Sequence, residues 1–441
     1  MPHANHDNNT VAPPLSLSRR SRSAEDQPIA YLMQEAVANP GLISLAAGLV
    51  DDASLPTEAV HRITDEVLAE ADAGRLALQY GTTPGLAELR ETLLHHLADL
   101  DGLTADTMPG SADDIVVTTG SQQLLHLLTE VLVDPGDIVI TARPTYFVFT
   151  GFLPSFGCTV RTVPIDEGGM RLDRLEALLA ALEKVGQLRQ VKMVYTCSYH
   201  QNPSGITLAH DRRAALVELV ERWSQRAGQR IVIVDDAAYR ELTYDLPADG
   251  VLPSIKRHDE SNRSVALLHT LSKPFAPGLK TGYGLLPTDL VEPVLRAKGG
   301  RDFGSNNFAQ HLLLRAMRSG AFAEHLATLR EVYRNKRDAM LASLDKHLGP
   351  MRGDGVTWTI PAGGLYVWLT LPDSVDTSRG GDLFGNAISR GVLFVPGPYC
   401  YPVDPAHTAP RNELRLSFGV PTVERIEQGI ERLAAALRGD A

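Results

Sequence analysis

Ile231-Val232-Ile233-Val234-Asp235-Asp236-Ala237-Ala238-Tyr239 is the stretch that decides the fold. Four consecutive apolar residues with no polar alternation describe a strand buried on both faces. A sheet covered by helices on each side buries a strand in that way. Two carboxylates follow at once, and a buried carboxylate is costly unless a cation or donors meet it. Asp235 and Asp236 therefore read as a helix N-cap or as charges held for a partner at the strand end. Tyr239, three residues on, can turn toward the same place.

The pattern on either side repeats this unit. Strands are expected at Ile115–Val117, Ile138–Ile140, Val191–Tyr195, Ser264–Leu268 and Gly284–Leu286. Apolar spacing of helical period runs over Gln122–Leu132, Arg171–Val185 and Asp211–Arg226. This β-α-β rhythm predicts an α/β domain with a mainly parallel sheet between two layers of helix. Beyond about residue 300 the pattern changes. Long helices are expected at Asn307–Arg318 and at Phe322–Leu348, the second with a break. Strands at Leu365–Leu369 and Leu414–Phe418 and a helix over Val423–Arg438 then describe a smaller α+β domain.

Composition narrows the function classes. A length of 441 residues suggests two to three domains, and 44% apolar content suffices for large cores. A formal net charge of −11 argues against a general nucleic-acid-binding surface. Three widely spaced cysteines, Cys158, Cys197 and Cys400, argue against a disulfide framework and fit a reducing cytoplasm. No apolar run approaches the ~20 residues of a membrane helix. Residues 1–27 lack an apolar signal core and are rich in Asn, Ser, Pro and Arg, with Arg19, Arg20 and Arg22 clustered. They read as a mobile arm.

In open parallel sheets ligands bind beyond the carboxyl ends of the strands, and four unusual segments fall there. Thr118-Thr119-Gly120-Ser121-Gln122-Gln123 joins a strand to a helix; free amides at a helix start bind anions, and Ser121 reads as an N-cap or a phosphate donor. It has neither Walker nor dinucleotide glycine spacing. Tyr195-Thr196-Cys197-Ser198-Tyr199-His200-Gln201-Asn202-Pro203 ends in an asparagine held out of the α region by proline, so its side chain can be aimed; a plain turn is the alternative. Cys197 and His200 are one pair without further partners, too few for a metal site. The Asp235-Asp236 segment is the third. The fourth is Leu268-His269-Thr270-Leu271-Ser272-Lys273-Pro274-Phe275-Ala276-Pro277-Gly278-Leu279-Lys280-Thr281-Gly282-Tyr283, where Lys273 sits past a strand among hydroxyls. Together these segments offer an anion cradle, a neutral donor, a carboxylate, a phenol and an amine. Pyridoxal 5′-phosphate needs that set: a helix start for its phosphate, a carboxylate for its ring nitrogen, donors for its phenolic oxygen and a lysine for its aldehyde. An ordinary lysine titrates near ~10.4, so such a site must lower that value or use the imine.

These motifs, above all Ser272-Lys273 with Ala276-Pro277-Gly278 and Gly282-Tyr283, resemble the class I/II aminotransferases of fold type I over roughly residues 28–438. Within that family the resemblance is to the branch of 2-aminoadipate, kynurenine and aromatic aminotransferases. It implies the aspartate aminotransferase architecture: an arm at 1–27, a segment at 28–74 shared with the small domain and substrate site, a large cofactor domain at 75–300 and a small domain at 301–441. It implies that Lys273 forms the Schiff base and moves the substrate proton, that Asp236 pairs with the pyridine nitrogen, and that Asn202 and Tyr239 hold the phenolic oxygen. Ser121, Gln122, Thr270, Ser272 and Lys280 correspond to the phosphate cradle, and Tyr146 to the aromatic stacked on the ring. Arg415 matches the arginine that clamps the substrate carboxylate, and a planar guanidinium suits two-point contact. Gly48 aligns with a backbone contact to substrate, and Tyr80 with a tyrosine that reaches the phosphate of a neighbouring subunit, hence a homodimer. Two departures stand out: Lys280 where the family has arginine, and Ala47 where it often has glycine. The arginine fork is lost in a lysine.

The expected reaction passes an amino group from an L-amino acid with an aromatic, branched or 2-aminoadipate-like side chain to a 2-oxo acid such as 2-oxoglutarate, through the pyridoxamine phosphate form. Tyr31, Leu32, Tyr146, Tyr199 and Tyr399 are candidates for the side-chain pocket. A lyase or synthase on the same scaffold is the alternative enzyme. An effector-sensing regulator is a more distant one, set against the short stretch that precedes the matching region and the acidic charge. No membrane or nucleic-acid partner is expected.

Overall fold

The computed structural model describes residues 15–24, 28–39, 41–69, 71–245 and 252–439. Among these, the largest sheet has eight strands. In chain order they are β1 (Ile115–Thr118), β2 (Ile138–Arg143), β3 (Thr159–Asp166), β4 (Gly169–Met170), β5 (Val191–Thr196), β6 (Val232–Asp236), β7 (Val265–Thr270) and β8 (Gly282–Leu285). In space they follow the order β1-β8-β7-β6-β5-β2-β3-β4. Strands β7, β6, β5, β2 and β3 are parallel neighbours. The strand expected at Gly284–Leu286 is β8, and it runs antiparallel to both β1 and β7. The chain between β7 and β8 carries the Lys273 loop and no crossover α-helix, so it returns as an antiparallel neighbour.

Around the sheets lie α1 (Thr57–Ala69), α2 (Ala87–Asp101), α3 (Gly120–Leu132), α4 (Leu172–Lys184), α5 (His210–Ala227), α6 (Thr288–Asp302), α7 (Asn307–Arg318), α8 (Ala321–Leu348) and α9 (Val423–Arg438). The apolar run of β6 is explained by two cores. Val232 and Val234 pack with Leu124, Leu125 and Leu128 of α3. Ile233 faces the opposite way, with Leu216, Val217 and Val220 of α5 and Leu175 and Leu179 of α4. Side chains alternate along a strand, so burial on both faces demands apolar residues at every position. Each such side chain stabilises the domain by about 1.5–3 kcal/mol. The same alternation sends Asp236 to the α3 face and Asp235 to the α5 face. Neither caps a helix; both belong to β6.

A second, antiparallel sheet has the order β9 (Thr357–Trp358), β10 (Tyr366–Thr370), β12 (Glu413–Ser417), β11 (Val395–Pro396). Arg415 of β12 lies between Trp368 of β10 and Val395 of β11 in this register. Helix α8 corrects one expectation: it has no break. Its 28 residues contain neither Gly nor Pro, and they rise about 42 Å as one rod. Buried cations on it are paired, Lys336 with Asp51 at 2.6 Å and Arg337 with Asp245. Of the expected arm, residues 1–14 and 25–27 lie outside the described residues. Arg19–Arg22 form a short exposed helix, with the Arg20 guanidinium 5.0 Å from the centre of the Phe156 ring.

Candidate active site

The carboxyl ends of β5, β6 and β7 and the start of α3 surround a cavity of about 260 Å3. Ser121, Gln122, Tyr146, Asn202, Asp236, Tyr239, Thr270, Ser272, Lys273 and Lys280 all line it. These residues span some 160 positions of sequence, and the parallel sheet gathers them because every β-α crossover returns its loop to one edge.

Lys273 is half-buried, and its Nζ donates to the carbonyl of Gly48 at 2.7 Å. Burial, together with the charges of Arg415 and Lys280, lowers its pKa from 10.5 to about 8. The ammonium is thus destabilised by a dry setting and by two like charges, and the neutral, nucleophilic amine becomes accessible near neutrality. Gly48 has to be glycine: a Cβ there would lie 2.7 Å from the hydroxyl of Tyr366.

Asp236 is buried and accepts from the Tyr195 hydroxyl at 3.0 Å through Oδ2, while its Oδ1 has no protein partner. Burial raises its pKa to about 7; Tyr195 opposes the shift and the Asp235 charge adds to it. This carboxylate lacks a counter-cation. A cationic group placed against Oδ1 would supply one and return the carboxylate to its charged form. Asp235 is also raised by burial, with Ser198 next and then Arg213 and Arg240 opposing, and it is turned away from the cavity.

Helix α3 begins at Gly120, with Thr119 as N-cap, so Ser121 lies inside the first turn and is not the cap. The opening amides of a helix have no intrahelical acceptor and carry its positive dipole end. The Thr119 amide is taken by Gln123 Oε1 at 2.7 Å, whereas the Gln122 side-chain oxygen is buried without a partner. Gly282 of β8 runs directly beneath this turn: a Cβ on it would sit 2.4 Å from the Ser121 nitrogen. Thr270 and Ser272 face the same end, and the Ser272 amide donates to Thr270 Oγ1 at 3.2 Å. Lys280 stands at the rim, exposed and in the left-handed region at φ 51°. The whole corner presents N–H, O–H and ammonium groups, which suits a phosphate.

Arg415 is 1% exposed. Its Nη1 donates to Asn202 Oδ1 at 2.7 Å and its Nη2 to the Ala46 carbonyl at 2.6 Å. With Oδ1 committed to Arg415, the Asn202 amide nitrogen is left to donate into the cavity. The Tyr146 phenol is raised by burial and by Asp236. Tyr80 is not brought to the cavity within one chain: it is 85% exposed and stands edge-on to Phe303 at 6.0 Å. Tyr199 is no pocket residue either; it is buried between the guanidiniums of Arg213 and Arg240, at 4.4 and 5.1 Å, and donates to the Leu252 carbonyl. His200 spends both ring nitrogens on hydroxyls, Thr243 at 2.8 Å and Thr207 at 3.1 Å, and burial with Arg213 and Arg337 lowers it to about 3. Sequence reasoning missed Tyr195, Cys197 and Ala238 as cavity walls. A hydroxyl-bearing aromatic near the end of a strand next to the acidic one is the signal that could have found Tyr195.

The family description aminotransferase class I and II matches residues 40–433. The chain belongs to this family. It is 36% identical over 397 residues, 90% of this chain and 88% of the relative, to aromatic-amino-acid aminotransferase 1 of Thermococcus litoralis. It is 32% identical to the 2-aminoadipate transaminase of Thermus thermophilus, over 91% of each chain. The crystal structure of a kynurenine aminotransferase from Pyrococcus horikoshii, in complex with PMP, superposes with a TM-score of 0.86 at 32% identity, over 96% of this chain and 97% of that one. The aminotransferase is therefore a fold type I transaminase, with a large mainly parallel sheet and a smaller antiparallel one. The family is pyridoxal-phosphate-dependent. The residues present fit that cofactor on three observations: the unpartnered Oδ1 of Asp236, the helix start with Ser121, Thr270 and Ser272 lining the same cavity, and an amine with a lowered pKa. Among the described residues no helix is long and apolar enough to cross a membrane.

Proposed function

We propose that this transaminase takes its amino group from an L-amino acid with an aromatic or 2-aminoadipate-like side chain and passes it to a 2-oxo acid, 2-oxoglutarate being the acceptor. The donor class rests on the named activities of the relatives. The observation that carries the site assignment is the Lys273 amine, lowered to about 8 in the same cavity as the unpaired Asp236. Bound pyridoxal phosphate supplies an electron sink for charge that develops at the substrate Cα. Asp236 holds the proton on its ring nitrogen. Asn202 and Tyr239 donate to its phenolic oxygen, and Tyr146 covers the ring. Ser121, Gln122, Thr270, Ser272 and Lys280 bind the phosphate. Arg415 grips the substrate α-carboxylate in a setting where burial strengthens the contact. Lys273 would take the proton from the substrate Cα and deliver it to the cofactor carbon that carries the aldehyde, a role for which a pKa near the working pH is best. A second chain contributes Tyr80 to the phosphate, which makes the enzyme a homodimer with shared sites.

The test is a panel of amino acids added singly to the purified yellow protein. Aromatic acids and 2-aminoadipate should bleach the visible band and release the matching 2-oxo acid, and 2-oxoglutarate should restore the colour. A protein that bleaches with none of them, or releases ammonia in place of a retained amine, contradicts the reading.

A further inference from the structure

Behind the cavity lies a residue that is not among its walls. Tyr366 of β10 is 1% exposed, and its hydroxyl lies 3.0 Å from that of Tyr239. The two rings meet edge to face, with centroids 5.5 Å apart. The other side of the Tyr366 ring carries the Arg415 guanidinium, 4.3 Å from its centroid. The hydroxyl also fills the space left by the missing side chain of Gly48. One side chain therefore touches the phenol that faces the cofactor, the arginine that faces the substrate carboxylate, and the backbone that receives Lys273.

Either oxygen of the hydroxyl pair can donate, and the direction depends on where Tyr239 sends its proton. A phenol has one O–H to give. If Tyr239 gives its proton into the cavity, its oxygen accepts from Tyr366. A donor on the far side of Tyr239 polarises its O–H and makes it a stronger donor in turn.

We propose that Tyr366 is a positioning residue of the transamination site: its hydroxyl donates to Tyr239 so that Tyr239 donates to the cofactor's phenolic oxygen, while its ring holds the plane of Arg415. This rests on the assignment of Tyr239 to that oxygen. The hydroxyl relay stabilises the ionised phenolic oxygen and so lowers the pH at which the bound cofactor's absorbance changes.

The experiment titrates the visible absorbance of the loaded protein against pH in four forms: wild type, Tyr366→Phe, Tyr239→Phe and the double variant. Phenylalanine keeps the ring on Arg415, so packing is retained. Tyr239→Phe should raise the midpoint, and Tyr366→Phe should raise it by about a fifth as much, in line with the ~10–30% strengthening of one hydrogen bond by another. In the double variant the Tyr366 change should add nothing. If Tyr239→Phe leaves the midpoint unmoved, the assignment of Tyr239 is wrong. If Tyr239→Phe moves it and Tyr366→Phe does not, or if the two shifts add in full, the relay alone is overturned. A second arm measures the Kd of a non-reacting dicarboxylate such as maleate. Tyr366→Phe should leave it within twofold, whereas Tyr366→Leu should weaken it about fivefold through loss of the ring over Arg415; equal affinity in both overturns the second half of the proposal.

Discussion

Lys273 is where the chemistry is most exposed to test. Its replacement by alanine should lower turnover by roughly 10²–10⁴-fold, because the proton-moving amine is lost while the phosphate corner still binds cofactor without a covalent link; retained turnover in a steady-state assay refutes the assignment. The pH dependence follows from the direction of its shift. Only the neutral amine attacks an aldehyde, and its pKa is lowered to about 8. The rate of covalent attachment of pyridoxal phosphate to the apoprotein should therefore rise with pH through a midpoint near 8, and stopped-flow absorbance reads it directly; a midpoint near that of a free lysine shows that the two cations and the burial do not act on it. Asp236→Ala should cut kcat on the order of 10³-fold, the scale of one lost electrostatic partner at a reacting system. Lys280→Arg should tighten cofactor binding about fivefold if the added fork contributes one further hydrogen bond of about 1 kcal/mol, measured by dialysis against limiting cofactor. Lys273, Asn202 and Asp236 were legible because each stands beside a local signal: a Pro-Gly turn, an Asn-Pro step, the end of an apolar strand. Tyr366 and Tyr195 were not, because their partners lie 127 and 41 positions away and only sheet register brings them together.

Among the elements, α2 reaches the turn that follows β6 through a buried ion pair that the sequence did not reveal. Asp101 at the end of α2 is fully buried and pairs with Arg240, and it also accepts from the amide and the hydroxyl of Ser254, at 2.7 and 2.6 Å. Arg240 follows Tyr239 directly, so this pair anchors the turn that aims the phenol. Asp101→Ala strands a buried guanidinium and should destabilise the protein by about 3–5 kcal/mol; urea unfolding checks it, and a loss below 1 kcal/mol shows that Arg240 finds another partner. Periodicity predicted six of the eight strands of the central sheet, where two-sided burial leaves no polar gaps; it missed β4, which is two residues long, and β3, whose run is interrupted by Arg161 and Pro164 and is only partly buried. It misjudged α8, for which a break was expected that the composition, free of Gly and Pro, does not support. It could not give the direction of β8, since alternation is the same whichever way a strand runs.

For the whole molecule, the telling residue is Tyr80. It is exposed and outside the lining of its own cavity, beside the less exposed Phe303. If a second chain uses it, Tyr80→Phe should weaken cofactor binding several-fold, and mixtures of Tyr80→Phe with Lys273→Ala chains should recover part of the activity that each lacks alone. Sedimentation should give twice the 47.8 kDa chain mass. Unchanged cofactor affinity together with a single-chain mass sinks the shared-site reading.

The placement of Arg415 on β12 has a consequence for biosynthesis. The ribosome makes the cradle, the acid and the lysine well before it makes the guanidinium that recognises a substrate. A polypeptide that stops before that strand lacks one of the two cations that lower the Lys273 amine, along with the guanidinium proposed to hold the substrate carboxylate. Translation of the last sheet thus finishes the electrostatic setting of the lysine and the carboxylate grip in one step.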